Sequence, residues 1–324
     1  MKLIRILFFL ALITCASVAS ASDDECMGFT FFSDGGYVAA VYSHAGSEFI
    51  YKVSITTGIA TRLTRAERGF EGLPSFSADG TRMAYSYSPD GKVHSYVVIA
   101  NIDGSEPHPW PISNTSDLRP VFLADNKHIL FARAGYYGHY SPVARPALHE
   151  WSLYVADLDG ANIRPITGEV FYDVGRVSVS PDGQKMLFVT KGEISEVIEV
   201  HSLPPMSDSV VSIRPPVEVD HKERIIAAAM YTPDAKSILF SAATTHLAHY
   251  DYDIYLMDLQ TQRVDRLTRN IGYAYGLQLS TDGKTAIFMR DSSHWFRNKT
   301  EIFLLDVATH KLTPFTITGI DHTP

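Results

Sequence analysis

VSVSPDG occupies residues 177–183, and its wording returns along the chain as PSFSADG (74–80), PVFLADN (120–126), AMYTPDA (229–235) and LQLSTDG (277–283), with a shorter first copy, TFFSDG (30–35). The turn aspartates are Asp34, Asp79, Asp125, Asp182, Asp234 and Asp282, spaced by 45, 46, 57, 52 and 48 residues. An apolar run follows each phrase: VAAV (38–41), MAYS (83–86), ILFA (129–132), MLFV (186–189), ILFS (238–241) and AIFM (286–289). After a loop of variable length comes another: FIYKV (49–53), YVVIA (96–100), LYVAD (153–157), VIEV (197–200), IYLMD (254–258) and IFLLD (302–306). Most copies then close with RLT (62–64, 266–268), PIS (111–113), PIT (165–167) or PFT (314–316).

Short runs rich in β-branched and aromatic residues, bounded by Asp-Gly, read as strands joined by hairpins. Glycine accepts positive φ, and the aspartate carboxylate accepts backbone N–H bonds within the turn. Four strands in a unit of ~40–50 residues, named a to d from the inside out, make one propeller blade. Six copies predict an all-β protein, a six-bladed β-propeller of four-stranded antiparallel blades at about 28–66, 72–113, 117–168, 175–217, 224–269 and 275–318, forming a single domain over 22–324. The first copy starts at strand a and the sixth ends at strand d, so packing of the first blade on the last is expected to close the ring. The fourth copy lacks the closing LT and is proline-rich over 201–224, which predicts a long loop or an irregular outer strand.

Residues 1–21, MKLIRILFFLALITCASVASA, combine the basic Lys2 and Arg5, an apolar Ile6–Ile13 core and a small-x-small end at Ala19–Ala21. This is the pattern of a secretory signal peptide, and it predicts a periplasmic or secreted protein. No later segment is apolar enough to span a bilayer as a helix. Loss of the leader leaves Cys26 as the sole cysteine, so no internal disulfide is available. Cys26 is expected as an exposed N-terminal thiol. The net charge of −8, without basic runs, argues against a nucleic-acid partner.

The S-x-D-G turns, the aromatic third position of strand b (Tyr85, Phe131, Phe188, Phe240, Phe288), IYLMDLQT and the RLT endings resemble the WD-like propeller repeat of TolB and its relatives. The same repeat occurs in the propeller domains of prolyl oligopeptidases. The resemblance runs over about residues 28–318 and implies the propeller fold. Against the resemblance, the chain is expected to lack the N-terminal α/β domain of TolB and the hydrolase domain of the peptidases, and no G-x-S-x-G elbow occurs in the sequence.

Propeller geometry gathers the short a–b and c–d turns on one face and the longer b–c and d–a loops on the other. The b–c loops, about 43–48, 87–95, 133–152, 190–196, 242–252 and 290–300, hold His44, His94, His139, His149, His246, His249 and His294, seven of the 13 histidines. Six loops converging on one axis make a candidate ligand pocket from Arg133, Tyr137, His139, Tyr140, Trp151, Tyr250, Arg290 and Trp295. Arginine suits carboxylates or phosphates, and the aromatic faces suit sugars or peptides. The alternative reading is a set of loops packing their aromatics on one another. The stretch 133–151 is the longest insertion, expected as a loop stiffened by its prolines, Pro142 and Pro146. His246, His249 and His294 are the candidate ligands for a divalent metal, a set that different blades must complete. The turn aspartates read as turn formers, without the dense oxygen ligands that calcium needs.

Two functions fit these features. One is a monomeric, non-enzymatic scaffold that binds an envelope protein or a cell-wall, sugar or peptide ligand, with no cofactor. The other is a metal-dependent enzyme acting on an anionic sugar, similar to a uronate lyase, with the mouth histidines as ligands or bases and Arg133 and Arg290 as carboxylate clamps.

Overall fold

The computed structural model describes residues 25–89, 94–139, 146–168, 170–191, 196–203, 210–215, 225–244, 251–269, 271–291 and 300–320. They form strands and no helix. The first repeat holds β1 (Glu25–Phe31), β2 (Tyr37–His44), β3 (Ser47–Ser54) and β4 (Ala60–Arg62). The second holds β5 (Phe70–Glu71), β6 (Ser75–Phe76), β7 (Arg82–Ser88), β8 (Tyr96–Asn101) and β9 (His108–Pro109). The third holds β10 (Ser116–Phe122), β11 (His128–His139), β12 (Pro146–Asp157) and β13 (Arg164–Pro165). The fourth holds β14 (Ser178–Val179), β15 (Lys185–Lys191), β16 (Glu196–Ser202) and β17 (Val211–Ile213). The fifth holds β18 (Ile226–Tyr231), β19 (Ser237–Ala243), β20 (Tyr252–Asp258) and β21 (Val264–Arg266), and the sixth β22 (Tyr273–Leu279), β23 (Thr285–Asp291), β24 (Thr300–Asp306) and β25 (Leu312–Phe315).

The third to sixth repeats are each a four-stranded antiparallel sheet in the order a-b-c-d. Apolar clusters lie between each repeat and the next, and a further cluster joins Phe29, Val38 and Tyr51 of the first repeat to Ile287 and Met289 of the sixth. This is a β-propeller arrangement. The central-strand aromatic of each later repeat sits opposite or diagonal to a flat partner on strand c. Phe131 stacks on Tyr154, Phe188 on His201, Phe240 on Tyr255 and Phe288 on Phe303, with centroids 5.1–5.8 Å apart. Such cross-strand pairs stabilise a sheet beyond simple burial by about 0.5–1.5 kcal/mol each.

The first two repeats depart from the expected separation. They share one nine-stranded sheet, because β5 pairs with β7 and also bridges β3 at Glu48–Phe70. The reason lies in the RLT ending. In the fifth repeat, Thr268 Oγ1 accepts the Ile254 N–H (2.9 Å) and donates to Asp253 (2.9 Å), which is fully buried and paired with Arg266. The first repeat has Phe49 where the fifth has Asp253, and Arg62 stacks on its ring at 4.1 Å instead. The missing carboxylate comes from the next repeat. Glu71 of β5 accepts from Thr64 Oγ1 and from the Ile50 N–H (3.0 Å). Burial pushes the Glu71 carboxyl up to about 7, against the opposing effects of Thr64, Ile50 and Arg62.

The same comparison corrects one reading of the second repeat. The leucine position of RLT returns a hydrogen bond to strand c, as Leu63 N–H does to Ile50 O and Leu267 N–H to Ile254 O, each 2.8 Å. In the second repeat Trp110 N–H makes that bond to Val97 O, also 2.8 Å, and the Trp110 ring is buried. PIS (111–113) lies past the ending, with Ile112 72 % exposed.

The turns are built as the phrase requires. In all six, the aspartate Oδ1 accepts the N–H two residues on, at 2.9–3.1 Å. Four also take a hydroxyl, from Ser77, Ser180, Thr232 or Ser280, each at 2.6 Å. These bonds favour the ionised form and lower Asp79 to about 2, its Ser77 bond contributing most. Asp182, Asp234 and Asp282 are lowered for the same reason.

Strand a is interrupted in every repeat five to seven residues before the turn aspartate. Register breaks occur at Cys26/Gly28, Leu118/Val121, Ile226/Ala228 and Tyr275/Gln278, while Gly72–Pro74 separates β5 from β6 and 175–177 separates the Val174 bridge from β14. Bulges bend and twist the strand that carries them, which suits the innermost strand of a blade. Cys26 lies in β1 with only 5 % exposure, and burial pushes its thiol up to about 12. It is a core residue rather than the exposed thiol expected.

Ring closure uses the contact that joins internal repeats. Gly104 of the second repeat would place a Cβ 2.0 Å from Leu63 O of the first, and Gly58 of the first would place one 2.1 Å from Thr316 O of the sixth. Beyond the last strand, Thr318 N–H donates to Gly58 O (2.9 Å) and Ala60 N–H to Thr318 O (2.8 Å). Closure therefore rests on backbone bonds as well as the packing foreseen.

Two outcomes follow for stability. Gly58 and Gly46 share a positive φ (72° and 77°), but nothing lies within 4 Å of a Cβ at 46. In chemical denaturation, Gly58→Ala is expected to cost about 1–3 kcal/mol more than Gly46→Ala. For Asp79 the folded pKa lies below the unfolded one. Its contribution is present above the unfolded value and is lost as pH falls toward about 2. The Tm difference between wild type and Asp79→Asn should be full at pH 6 and shrink as pH falls through about 2.

Candidate functional site

The b–c face takes its shape from how strands b and c end. In the first repeat they join at Ala45–Gly46, both at positive φ, a two-residue hairpin turn. In the third repeat the described residues of the insertion expected as a loop, 133–139 and 146–151, are strand. β11 and β12 pair from His128–Asp157 out to His139–Pro146, whereas β10 stops pairing at Ser116–Ala134. The outer part is thus a two-stranded arm, steadied by a 3.0 Å contact between His149 Nε2 and Gly138 O. Tyr137 is half-buried on this arm and His139 is exposed.

Arg133 and Arg290 stand at equivalent places in the repeat, Arg133 within the long β11 and Arg290 one residue from the end of β23. Arg133 makes a two-point contact with Asp117, Nε to Oδ1 at 2.6 Å and Nη2 to Oδ2 at 2.8 Å, and packs over Tyr154 at 5.0 Å. Arg290 Nη2 donates to Glu301 at 2.7 Å, and its guanidinium lies 4.4 Å from the Phe303 centroid. Each arginine faces its register partner on the neighbouring strand. Their charges are matched within their own sheets. Trp151 is buried, and its backbone exchanges two hydrogen bonds with Phe171, at 3.1 and 2.7 Å.

Tyr140, Tyr250, Trp295, His246, His249 and His294 lie outside the described residues. The flanks of the 245–250 segment are tied together, since Thr244 donates to Asp251 O through its N–H (2.7 Å) and its hydroxyl (3.0 Å). Asp253, two residues on, belongs to the sheet through Arg266 and Thr268. Among the described residues, no three His, Cys, Asp or Glu side chains are grouped closely enough to hold a metal.

Sequence reasoning passed over the residues at the axis. Counting back six places from each turn aspartate gives Gly28, Leu73, Arg119, Arg176, Ala228 and Gly276. These positions converge: a Cβ on Gly28 would lie 2.8 Å from Leu73, and one on Gly276 3.9 Å from the Gly28 Cα. Arg176 crosses from the fourth repeat to the first two. Its Nη1 donates to Phe29 O (2.8 Å), and its Nη2 to Thr30 Oγ1 (2.6 Å) and Pro74 O (3.4 Å). Arg119 sits on the loop side of this level, 5.1 Å from the Trp151 ring and 3.7 Å from Asp173. Its backbone is held at φ 56° just before Pro120, a conformation costing a non-glycine residue about 1–3 kcal/mol. Burial first, and the Arg119 charge second, bring the Arg176 guanidinium down to about 10. Burial also lowers Arg119, opposed by Asp173. The signal for this pair was the repeat itself, once aligned on the turn aspartates.

No family model matches the chain, and no curated protein matches its sequence. Solved structures match in fold. A protein assigned as TolB from Agrobacterium tumefaciens superposes with a TM-score of 0.61 at 14% identity, covering 81% of this chain and 86% of that one. TolB from Acinetobacter baumannii gives 0.54 at 20% identity, covering 88% and 69%. An oligogalacturonate lyase in complex with manganese gives 0.59 at 16% identity, covering 89% and 75%. The TolB-like propeller fold is what these similarities establish.

The Arg133–Asp117 pair is deeply placed, with side chains 18 % and 6 % exposed. Removing one partner strands the other charge. Arg133→Ala is expected to lower stability by about 3 kcal/mol, and adding Asp117→Ala to recover part of that loss in a double-mutant cycle. Full additivity would show that the pair is not coupled.

Proposed function

We propose that this chain is an exported, six-bladed TolB-like propeller that acts as a non-enzymatic binding scaffold through its b–c face. The nine-stranded sheet counts as two blades tied by β5, each with its own turn aspartate and its own four-strand order. The observation that carries the scaffold reading is the arm of the third repeat. β11 and β12 are 12 residues long where the b strands of the other repeats have seven or eight, and their outer halves pair only with each other. A projecting arm bearing Tyr137 and His139 beside a concave mouth offers contact area to an envelope protein or a cell-wall sugar. Arg133 and Arg290, already matched by carboxylates, serve this face as supports for their strands. The leader-like residues 1–21 and the fold shared with TolB support action in the periplasm, and no helix among the described residues is long and apolar enough to cross a membrane.

The alternative, a metal-dependent enzyme on an anionic sugar, draws on the fold shared with the manganese-bound oligogalacturonate lyase. It requires His246, His249 and His294 to converge with further ligands. Elemental analysis and assay of His249→Ala separate it from the scaffold reading.

Replacing residues 136–149 by a tight turn tests the proposal. The shortened protein should fold with an unchanged far-ultraviolet spectrum and lose at least tenfold in affinity for purified cell-wall fragments or for the envelope protein retained by the intact chain. Equal retention by both forms would contradict an arm-centred binding face.

A further inference from the structure

We propose that the narrow level of the central channel is a binding site for a compact oxyanion, held by Arg119 against the fixed charge of Arg176. The inference is independent of what binds at the arm.

The six residues at this level are two arginines, a leucine, an alanine and two glycines. Two positive charges thus share this level, and none of its six positions is acidic. Among the described residues, the carboxylate nearest Arg119 is Asp173, which is 64 % exposed and stands 3.7 Å from Arg119 Nη1, beyond hydrogen-bond distance. That Nη1 is shielded from water and has no hydrogen-bond partner among the described residues. Yet 38 % of the Arg119 side chain remains accessible, as expected of a group facing a solvent-filled channel. A buried guanidinium donor left unpaired is a cost that an anion removes.

The two arginines differ in role. Arg176 is anchored by Phe29 O, Thr30 Oγ1 and Pro74 O, so its charge is fixed on the axis. Arg119 has no comparable anchor and lies between the Trp151 ring and Asp173, with a free donor and a face toward the loop side. Arg133 and Arg290 show how this chain treats an arginine that it uses structurally: each is given a carboxylate at 2.6–2.7 Å. Arg119 is not. An anion entering from the b–c face meets Arg119 first and the Arg176 charge beneath it, in the donor geometry that carboxylate and phosphate oxygens prefer. An oxyanion seated there would also relieve the repulsion between the two cations.

The test uses the full mature chain at constant ionic strength, titrated with inorganic phosphate in one arm and acetate in the other. Thermal shift and isothermal titration report on both. Wild type should show a saturable rise in Tm with at least one of them, phosphate if a tetrahedral dianion fits best and acetate if a planar carboxylate does. Arg119→Gln should weaken that response at least tenfold. Without anion it should be no less stable than wild type, because it removes a repulsive charge, whereas a purely structural arginine would leave the variant destabilised. Arg119→Lys, which keeps the charge and guards against a folding failure, should weaken binding less than Arg119→Gln. Arg263→Gln, an exposed residue just before the outer strand β21, should titrate as wild type. No saturable response in wild type, or equal responses in wild type and both Arg119 variants, would overturn the site.

Discussion

Each repeat of this chain contributes a four-stranded unit with apolar residues on both faces, and leaving one face in water would forfeit that burial. That constraint organises the molecule. It forces each sheet to lie between two neighbours, and the only arrangement in which every sheet has two neighbours is a closed ring. The cluster uniting Phe29, Val38 and Tyr51 with Ile287 and Met289 is the point at which that requirement is met. Everything else in the fold serves it. The turn aspartates fix the hairpins, the RLT threonines cap strand c, and the bulged inner strands allow the sheets to splay around an axis. Where a repeat lacks a piece, its neighbour supplies it, as Glu71 does for the first repeat in place of an aspartate on strand c.

Much of this was legible in the sequence because it is local. The turn phrase specifies its own hydrogen bonds within six residues: all six turns form the aspartate-to-backbone bond, and four add the hydroxyl bond. The strand runs and the aromatic of strand b follow from a period that can be read by eye. The ring closure was legible from strand order alone, though not the Gly58–Thr318 bonds that reinforce it. What escaped was non-local. The exchange of a carboxylate between repeats joins Glu71 to Ile50, which no motif links. The end of the second repeat was misplaced because Trp110 replaces the leucine of RLT, and the PIS that follows mimics PIT. The insertion at 133–151 read as a loop because its prolines and glycines mask a strand pairing that starts at Arg133 and continues to His139. Cys26 read as terminal because only the three-dimensional register with Tyr42 places it in a sheet.

The candidate site shows the same division. Arg133 and Arg290 stand out in the sequence as cations at a loop edge, yet each has its counter-ion on the adjacent strand. Arg119 and Arg176 drew no attention, lying 57 residues apart in irregular stretches of strand a, and they are the charges at the axis. The difference is electrostatic economy. Arg133 and Arg290 are hydrogen-bonded to carboxylates and brace the walls of the propeller, whereas Arg119 has only the looser 3.7 Å contact with Asp173. The structural resemblance to TolB proteins and to a manganese-bound lyase establishes the propeller, and chemistry on such a fold is decided by its loops and its axis.

The closed ring is the claim on which all of these assignments stand, and amide hydrogen exchange at its seam tests it most directly. In a closed ring, the amides of Ala60 and Thr318, bonded across the junction of first and last repeats, exchange as slowly as internal strand amides such as Leu267. Exchange at Ala60 and Thr318 at the rate of an unstructured peptide, with Leu267 still protected, would mean that the seam is open and that the channel has no fixed wall.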